Sequence, residues 1–418
     1  MHGGLNIKVH NVRLGFATNS SSSHSIIFLP LQKINDDFDY NGFGWEFFTL
    51  SSKELKKQYL SSMLVQNLVK TLPIDLIKTV LKGLDLPVAD DLDESGFSSN
   101  FSIDHQSVYF LPKEYGSDQI SIEFFNDFKN FLLKDGIVIL GGNDNTNYQH
   151  PLYDETRLVS FDKWYPETDD TYTCRKDGDW WTLYSRSTGN RITFSFVENP
   201  SPFSPQTPLL VDMKITDFCS HGCAYCYQGS TTKGTHMDKE KIFSYASLLS
   251  KGKVFEVALG GGEPTQYPMF DQLVKHLSSK KIVVNFTTKS VDWLENEKMA
   301  NEIIPHIGGF AFSVDEQTID KVDRIYDIFK YRGYSMEKFT VQIVPGIHTQ
   351  YSLEKILKWC HEQGIRATLL GYKNTNRGQK FKDVIIKKQR GEFFPEEKIF
   401  DVLKKLQKQH QLGPISID

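Results

Sequence analysis

Three cysteines lie close together in the middle of the chain, in the segment Cys219-Ser-His-Gly-Cys223-Ala-Tyr-Cys226. Thiolates are ligands of zinc and of iron–sulfur clusters. Three of them leave a four-coordinate metal site one ligand short. A [4Fe–4S] cluster held by three cysteines would therefore keep one iron open to bind another molecule, and the short spacing lets a single loop wrap such a compact cube. The loop is a candidate cluster site.

A structural zinc site is the alternative interpretation of this loop. It needs a fourth ligand, for which His221 or His236 is available. Zinc ligands usually come as two separated pairs, whereas these cysteines share one short loop, so the pattern favours a cluster.

A second motif, Gly261-Gly262-Glu263-Pro264, follows one predicted helix and one predicted strand later. The motif lies in the turn that follows this predicted strand and is a second candidate functional segment.

Strands and helices must position these motifs, and they alternate from about residue 209 onward. Residues 209–215 are predicted to form a strand that leads into the cysteine loop, and residues 254–259 a strand that leads into the Gly-Gly-Glu-Pro turn. Further strands are predicted at 282–287, 310–314, 339–344 and 367–370. Six such β-α units predict a parallel sheet with right-handed crossovers, open or closed into a full or partial barrel. Reacting groups in these folds gather at the carboxyl ends of the strands, where both motifs lie.

Apolar residues at helical spacing predict the helices between the strands. One helix begins after the cap Asp238 and ends at Gly252, and another begins after the cap Ser352 and ends at Gly364. Cys360 lies on the apolar face of the latter and is predicted to be a buried small hydrophobe. A third helix is marked by Phe270, Leu273, Val274 and Leu277.

The first 200 residues follow a different pattern, which predicts an α+β accessory domain without a catalytic motif. A capping box, Ser51 with Glu54, predicts a helix start. Trp180–Ser187 and Arg191–Phe196 are predicted to pair as two strands, and Cys174 is predicted to lie free in a polar loop. Loops are predicted at 88–102 and 143–149, and the serine-rich tract 19–25 is predicted to be flexible. A further helix is marked by Phe124, Phe125, Phe128, Phe131 and Leu132.

Composition narrows the class of protein. The formal net charge of −4 gives no electrostatic signal for nucleic-acid binding, and the basic run 387–390 is predicted to be a solvated face. No run of about 18 apolar residues predicts a membrane span, and the N-terminus lacks the pattern of a secretory signal. Five cysteines, three of them clustered, argue against a disulfide framework and predict a reducing, cytoplasmic location.

The two motifs together resemble those of the radical S-adenosylmethionine (SAM) superfamily, whose cysteine pattern is C-x3-C-x-aromatic-C and whose second motif is Gly-Gly-Glu-Pro. The resemblance implies that Tyr225, at the aromatic position, packs near the adenine of SAM. It implies that Gly261 and Gly262 admit the methionine end of SAM and that Glu263 faces its amino group. Weaker matches are Thr287 for ribose or carboxylate contacts, Ser313 for the ribose, Gln342 towards the cofactor, and Gly371–Gly378 as the adenine segment.

The resemblance implies a partial (β/α)6 barrel at residues 205–380, with 1–200 as the accessory domain and 381–418, a helix opened by Pro395 and a tail, packing on the core. It implies one [4Fe–4S] cluster held by Cys219, Cys223 and Cys226. SAM bound at the open iron is reductively cleaved in such enzymes, and the resulting 5′-deoxyadenosyl radical abstracts a substrate hydrogen. An external electron donor such as flavodoxin or ferredoxin is implied as a partner.

The substrate is the open question. The Cys-x-x-x-Cys-x-Tyr-Cys-Tyr run and the large preceding region favour a peptide or protein, although no further cysteines supply auxiliary clusters. The alternative is a nucleotide or another small molecule, as in single-cluster members. A non-catalytic binding module with zinc or a cluster is a third hypothesis. The reaction class, oxidoreductase or transferase, and the catalytic residues stay open.

Overall fold

The structure is a computed structural model of the 418-residue chain. It describes residues 8–13, 43, 48–99, 103, 111–134, 137, 139–141, 172–381 and 398–417. The chain divides into two compact units, the first made mostly of residues before Pro205 and the second mostly of Gln206–Asp418. The predictions for the tracts 19–25, 143–149 and 387–390 and for Pro395 fall outside the described residues.

The first unit mixes helices with small sheets. A five-stranded mixed sheet has the order β1-β7-β6-β5-β3, and β2 pairs with β4 antiparallel. Helices α1 and α2 share one apolar core, to which α3 contributes Phe125, whereas Phe124 and Phe131 of α3 pack on the strand pair β6–β7. The elements in chain order are β1 Lys8–Arg13, β2 Phe48–Leu50, α1 Lys53–Leu68, α2 Ile74–Gly83, β3 Lys113–Glu114, α3 Ile122–Leu132, β4 Ile139–Gly141, β5 Thr173–Asp177, β6 Trp180–Tyr184 and β7 Arg191–Ser195.

Two predictions for this unit were wrong. Ser52, not Ser51, caps α1, and its Oγ accepts from the backbone N–H of Leu55 at 3.4 Å. Adjacent serines offer the same cap chemistry, so the packing of the helix selects the register. Cys174 lies buried on β5 instead of in a polar loop. The sequence of β5 is mostly polar, and the strand forms through its pairing with β6. The predicted pair of strands around 188–190 was correct, with Trp181 opposite Phe194.

The second unit is built on seven parallel strands in sequential order, β8 to β14. Helices follow most strands, as a parallel sheet requires. No helix in the described part of the chain is long and apolar enough to span a membrane. The elements are β8 Leu210–Thr216, α4 Lys239–Lys251, β9 Glu256–Gly261, α5 Phe270–Ser279, β10 Val283–Thr288, α6 Asp292–Glu295, α7 Glu297–Ile303, β11 Ile307–Val314, α8 Lys321–Arg332, β12 Phe339–Ile343, α9 Gln350–Gln363, β13 Arg366–Leu369, α10 Ile399–Lys408 and β14 Ile415–Ile417.

The two faces of this sheet differ in chemistry. Along each strand, alternate side chains enter the core shared with the helices, for example Phe286, Phe310 and Val341. Because successive strand residues point to opposite faces, the residues between them line the other face. That face is polar or small, and much of it is buried; it carries Asn285, Thr287, Ala311, Ser313, Thr340, Gln342 and Thr368.

Sequence signals located most helices of this unit. Asp238 caps α4 by accepting from the backbone N–H of Lys241 at 2.9 Å, as predicted, and Gly364 ends α9 in the left-handed conformation. The predicted cap Ser352 was wrong, because α9 begins three residues earlier and Thr349 Oγ1 accepts from the Ser352 backbone N–H at 3.1 Å. Cys360 is buried on the apolar face, as predicted.

The predicted number of strands, six, was one too low. The tail forms β14, a seventh strand that pairs parallel with β13, and Thr368 and Ser416 meet across this pair at 2.9 Å. Three residues are too few for a periodicity signal, and β14 exists because β13 offers its edge. Helix α10, just before it, buries Val402 and Leu406 in the core of the unit.

Candidate active site

The cysteine loop leaves the carboxyl end of β8 and folds back on itself. The backbone N–H of Asp217 donates to the Thr235 carbonyl at 2.8 Å, and that of Cys219 donates to the Thr231 carbonyl at 3.1 Å. The two limbs lie so close at Gly234 that a Cβ there would stand 2.1 Å from the Asp217 carbonyl oxygen. The loop is therefore a closed hairpin-like segment, anchored at both ends.

The three cysteines occupy the outer part of this loop. All three thiols are free, and each residue is half-buried. Gly222 takes a left-handed conformation, with φ +65°, and turns the chain between Cys219 and Cys223. Burial raises the pKa of the Cys219 thiol, while the backbone N–H of His221 opposes this shift. The donor set is three reduced thiols on one loop, which suits an iron–sulfur cluster.

The segment after β13 holds the cysteine loop from the other side. Arg377 donates from Nε to the Cys223 carbonyl at 3.0 Å and from Nη2 to the Ser230 carbonyl at 2.9 Å. Asn376 and Thr375 both donate to the Tyr227 carbonyl, at 2.7 and 3.1 Å. The segment predicted to be the adenine contact is thus a clamp on the backbone of the cluster-site loop, and its contact with adenine stays a prediction.

Gly261 and Gly262 lie where the end of β9 meets the end of β8. A Cβ at Gly261 would stand 2.3 Å from the Thr216 carbonyl oxygen, and one at Gly262 would stand 2.1 Å from the Phe218 carbonyl oxygen. Gly261 also has φ +138°, and the register with β8 shifts here. These glycines are therefore required by the approach of two protein backbones, and this requirement stands beside their predicted contact with SAM.

Glu263 is the centre of a hydrogen-bond network and is only 2% exposed. Its Oε1 accepts from Thr265 Oγ1 and Thr288 Oγ1, both at 2.7 Å. Its Oε2 accepts from the backbone N–H of Lys289 at 2.9 Å and lies 3.3 Å from His221 Nε2. The carboxylate therefore ties the turn after β9 to the end of β10 and to the cysteine loop.

The ionised form of Glu263 is favoured by this network. Burial alone raises the pKa of the carboxyl, but the hydrogen bonds from His221, the Lys289 backbone, Thr265 and Thr288 outweigh it and hold the pKa below its ordinary value. Glu263 is thus a buried carboxylate at the edge where the predicted SAM amino group would lie.

Lys289 and Asp315 meet next to the cysteines. Lys289 Nζ forms a close ion pair with Asp315 Oδ2, and it lies 3.0 Å from Tyr225 Oη and 3.2 Å from Cys223 Sγ. Tyr225 Oη donates to the same Asp315 oxygen at 2.7 Å. The tyrosine of the cysteine motif is thereby joined to the ends of β10 and β11.

Burial and charge act together in this cluster. Burial first, and then the neighbouring Cys223 and Asp315, raise the pKa of Tyr225, which keeps its hydroxyl a proton donor. Burial alone raises the pKa of Asp315, but the hydrogen bonds from Lys289 and Tyr225 outweigh it and lower the pKa below the ordinary value. The arrangement is a largely buried cation and anion in contact beside the Cys223 thiol.

Thr287, Ser313 and Gln342 lie on the polar face of neighbouring strands β10, β11 and β12. Ser313 is directly opposite Gln342 in the parallel register. Thr287 Oγ1 and Gln342 Nε2 are both buried without a hydrogen-bond partner, and Gln342 is only 3% exposed. Buried polar groups are nearly always satisfied, so these two atoms fit a face that receives a polar ligand.

The histidines nominated as zinc ligands have other neighbours. His221 faces Glu263, and His236 Nδ1 lies 2.9 Å from Thr216 Oγ1. Among the residues that the structure describes, no group of three or more His, Cys, Asp or Glu side chains is gathered closely enough to hold a metal ion.

Lys289, Asp315 and Arg377 are site residues that lie within the segments matched to the family but to which the sequence analysis gave no role of their own. Thr287 and Ser313 were proposed because they match family positions at the ends of their strands. That resemblance gave no separate role to Lys289 and Asp315, which follow directly after the same strands. Their opposite charges, directly after two buried strands, were the available signal. Arg377 had no comparable signal, because its partners lie 154 and 147 positions away.

The part of the chain that carries this site is similar to a known protein family. Residues 213–385 match the family model of the Radical SAM superfamily. The match runs from the middle of β8 to beyond the Arg377 segment and so includes both motifs, and the matched family implies a [4Fe–4S] cluster and SAM as cofactors.

Individual relatives are distant. The chain is 31% identical over 134 residues to an S-adenosylmethionine-dependent nucleotide dehydratase of Thermoplasmatales archaeon (strain ISO4-H5), over 31% of this chain and 45% of that protein. It is 28% identical over 85 residues to the mycofactocin maturase MftC of Mycobacterium ulcerans (strain Agy99), over 20% of this chain and 23% of the maturase. The chain thus spans less than half the length of the curated relatives it matches.

Solved structures give a similar picture. Streptococcus suis SuiB bound to S-adenosylmethionine is 14% identical, with a TM-score of 0.40 over 50% of each chain. BtrN in complex with AdoMet and 2-DOIA is 17% identical, with a TM-score of 0.29 over 34% of this chain and 58% of BtrN. The similarity is confined to part of each molecule.

Proposed function

We propose that this protein is a radical SAM enzyme that holds one [4Fe–4S] cluster through Cys219, Cys223 and Cys226. The observation that carries the proposal is the placement of three free thiols and the buried Glu263 at the carboxyl edge of one parallel sheet, within the matched domain. Of the remaining two cysteines, Cys360 is buried on α9 and Cys174 is buried on β5 of the first unit.

A reduced cluster with SAM bound, held by Cys219, Cys223 and Cys226, would supply one-electron cleavage of SAM and thereby the means to abstract a hydrogen from the substrate. The protein's part is to bind and orient. Thr287, Ser313 and Gln342 present polar groups from the inner face of the sheet, and the unpartnered Thr287 Oγ1 and Gln342 Nε2 are available to SAM or substrate. Tyr225 packs beside Asp315 at the same edge.

Glu263 has two roles in this proposal. It binds the SAM amino group through the carboxylate charge, and it holds the end of β10 in place through the Lys289 backbone N–H. Gly261 and Gly262 let the backbone of the turn run close to the cysteine loop, which brings both motifs within reach of one cofactor. The domain limits 205–380 and 1–200 remain predictions.

The test is anaerobic. The full chain is reconstituted with iron and sulfide, reduced with dithionite and given SAM, and 5′-deoxyadenosine is measured by chromatography. We expect about four irons per chain, product from the wild type, and neither in Cys223→Ala. Cys360→Ala is the matched control, because Cys360 is buried on α9, and it should behave like the wild type. A Cys223→Ala variant that still cleaved SAM would contradict the proposal.

Modification of a peptide or protein is the reaction we favour. The aromatic-rich cysteine run and the similarity to the mycofactocin maturases support it. Incubation of candidate peptides with enzyme, SAM and reductant should give a mass shift by mass spectrometry. Absence of any shift across peptides encoded beside the gene would count against it.

A nucleotide substrate is the second candidate, supported by the similarity to the S-adenosylmethionine-dependent nucleotide dehydratase. It predicts that one member of a nucleotide panel stimulates SAM cleavage, and a flat response would exclude the panel as substrates. Under either candidate we propose a reducing, cytoplasmic location, because the cluster is oxygen-sensitive, and an electron donor such as flavodoxin or ferredoxin.

A further inference from the structure

We infer that Lys289 raises the reduction potential of the cluster by donating a charged N–H···S hydrogen bond to Cys223. The inference rests on the proposed function, because it requires the cluster. It assigns a role to a residue that belongs to neither of the two sequence motifs. Lys289 acts through Cys223 and is therefore a positioning residue whose effect is read in a potential.

The ammonium group is held against the thiol by its surroundings. Lys289 Nζ lies 3.2 Å from Cys223 Sγ, within hydrogen-bond distance of sulfur, and 3.0 Å from Tyr225 Oη. The Tyr225 ring lies beside the ammonium, with its centroid 5.3 Å from Nζ. Asp315 is the third neighbour of the ammonium, through the ion pair. Three neighbours thus restrict the ammonium to one position.

The backbone at Lys289 is held in place as well. The Lys289 backbone N–H donates to Glu263 Oε2 at 2.9 Å, and the preceding Thr288 donates to Glu263 Oε1 at 2.7 Å. The Gly-Gly-Glu-Pro turn therefore positions the lysine at the end of β10. A long side chain that is tethered at both ends does not lose further freedom when the thiolate binds a metal.

The surroundings are also partly dry. The side chains of Lys289 and Asp315 are 11% and 8% exposed. Water screens a buried charge weakly, so a cation at this distance acts on the thiolate more strongly than it would at the surface. Asp315 offsets part of this charge, but Lys289 Nζ remains the cation in contact with the sulfur.

Electron counting gives the sign of the effect. Reduction of the cluster by one electron from dithionite adds one negative charge to the site and breaks no bond. A nearby cation and an N–H···S bond stabilise the more negative, reduced form, and hydrogen bonds to the sulfurs are a known determinant of cluster potentials. Removal of the Lys289 charge should therefore make the potential more negative.

The test compares the wild type with Lys289→Met, Lys289→Arg and the control Lys275→Met. A methionine side chain is about as long as that of lysine but has no charge and no N–H group. An arginine side chain keeps the charge and the N–H groups. Lys275 is a half-exposed lysine that pairs with Glu302 at 3.1 Å, on the helical side of the sheet. Each reconstituted full chain is titrated with dithionite and mediators, without SAM, and the reduced cluster is followed by electron paramagnetic resonance.

We expect Lys289→Met to show a ratio of reduced to oxidised cluster at least tenfold lower than the wild type at the wild-type midpoint, which corresponds to about 59 mV for one electron. Lys289→Arg and Lys275→Met should stay close to the wild type. A Lys289→Met protein with full iron content and an unchanged midpoint would overturn the inference while leaving the proposed function intact. A wild type without a cluster would refute the proposed function itself.

A variant that loses iron needs a second comparison. If Lys289→Met binds less iron than the wild type, the titration is made on Lys289→Gln, whose amide can donate to Cys223 but has no charge. A potential lower than that of the wild type supports the role of the charge, and an unchanged one overturns it. A purely structural lysine would change the iron content of these variants without moving the midpoint.

Discussion

Glu263→Gln should destabilise the chain itself, before any cofactor is bound. The substitution keeps the shape but replaces one carboxylate oxygen with an amide N–H₂. Oε1 is bound by the Thr265 and Thr288 hydroxyls, and Oε2 by the Lys289 backbone N–H. If the amide oxygen faces the two hydroxyls, the new N–H₂ points at the Lys289 N–H, so that two donors face each other.

The magnitude follows from that geometry. A hydrogen bond to a charged group contributes about 1.5–3 kcal/mol, and a buried donor left without a partner costs about 1–3 kcal/mol. Loss of the carboxylate charge also removes its desolvation cost, which offsets part of this sum. We therefore expect the free energy of unfolding to fall by about 3 kcal/mol.

The pH dependence of stability tests independently whether the ionised Glu263 carboxylate stabilises the fold. The pKa of Glu263 is held below its ordinary value of 4.5 in the folded chain. A carboxyl whose pKa is lower in the folded than in the unfolded chain contributes its full stabilisation at pH values above the unfolded pKa. This contribution is lost as the pH falls through the folded pKa. The difference in unfolding free energy between wild type and Glu263→Gln should therefore be largest at neutral pH and shrink below 4.5.

The assay is urea unfolding of the metal-free full chain, followed by fluorescence at neutral and acidic pH. Glu362→Gln is the matched control, because Glu362 is exposed on α9, and it should change the unfolding free energy by less than about 0.5 kcal/mol. A Glu263→Gln variant as stable as this control at neutral pH would refute the assignment of Glu263 as the centre of the network. A difference that grew in acid would refute the direction of its pKa shift.

Two further predictions concern the approach of the loops. Gly262→Ala should lower the free energy of unfolding by about 2–3 kcal/mol, because its Cβ would stand 2.1 Å from the Phe218 carbonyl oxygen. The control is Gly83→Ala, at the open end of α2. It should leave the free energy of unfolding unchanged or raise it in the same urea titration. Equal stability of the two variants would contradict the close approach. Arg377→Ala should lower the amount of iron that each reconstituted chain retains after gel filtration, because two carbonyls of the cysteine loop lose their donor. Arg377→Lys should recover part of the retained iron. The control Lys380→Ala changes an exposed neighbour and should retain as much iron as the wild type. An Arg377→Ala protein with full iron content would show that the clamp does not organise the loop.

Local sequence signals predicted the parts of the fold that depend on neighbouring residues. The cap Asp238, the stop Gly364 and the apolar stripe of α5 each act within one or two turns of helix, so their signals are complete in the sequence. The same holds for the cysteine spacing and for the alternation of strands and helices. They were sufficient to place both motifs at the carboxyl ends of parallel strands.

Where two residues offer the same chemistry, the sequence could not choose between them. Ser51 and Ser52 are equivalent caps, and Thr349 and Ser352 both precede an apolar stripe, so helix packing decided both starts. The strand β14 could not be predicted from the sequence either. Its three residues become a strand because an edge of the sheet is available beside them.

The sequence by itself determined the class of site: three closely spaced thiols, a glycine pair and a glutamate, on a repeated β-α framework. The tertiary structure alone decided which charged side chains reach those thiols. Lys289 and Arg377 lie 66 and 154 positions from Cys223, and their contacts arise because parallel strands bring their carboxyl ends to one edge. Distances of this kind depend on strand order and twist, and no local pattern in the chain records them.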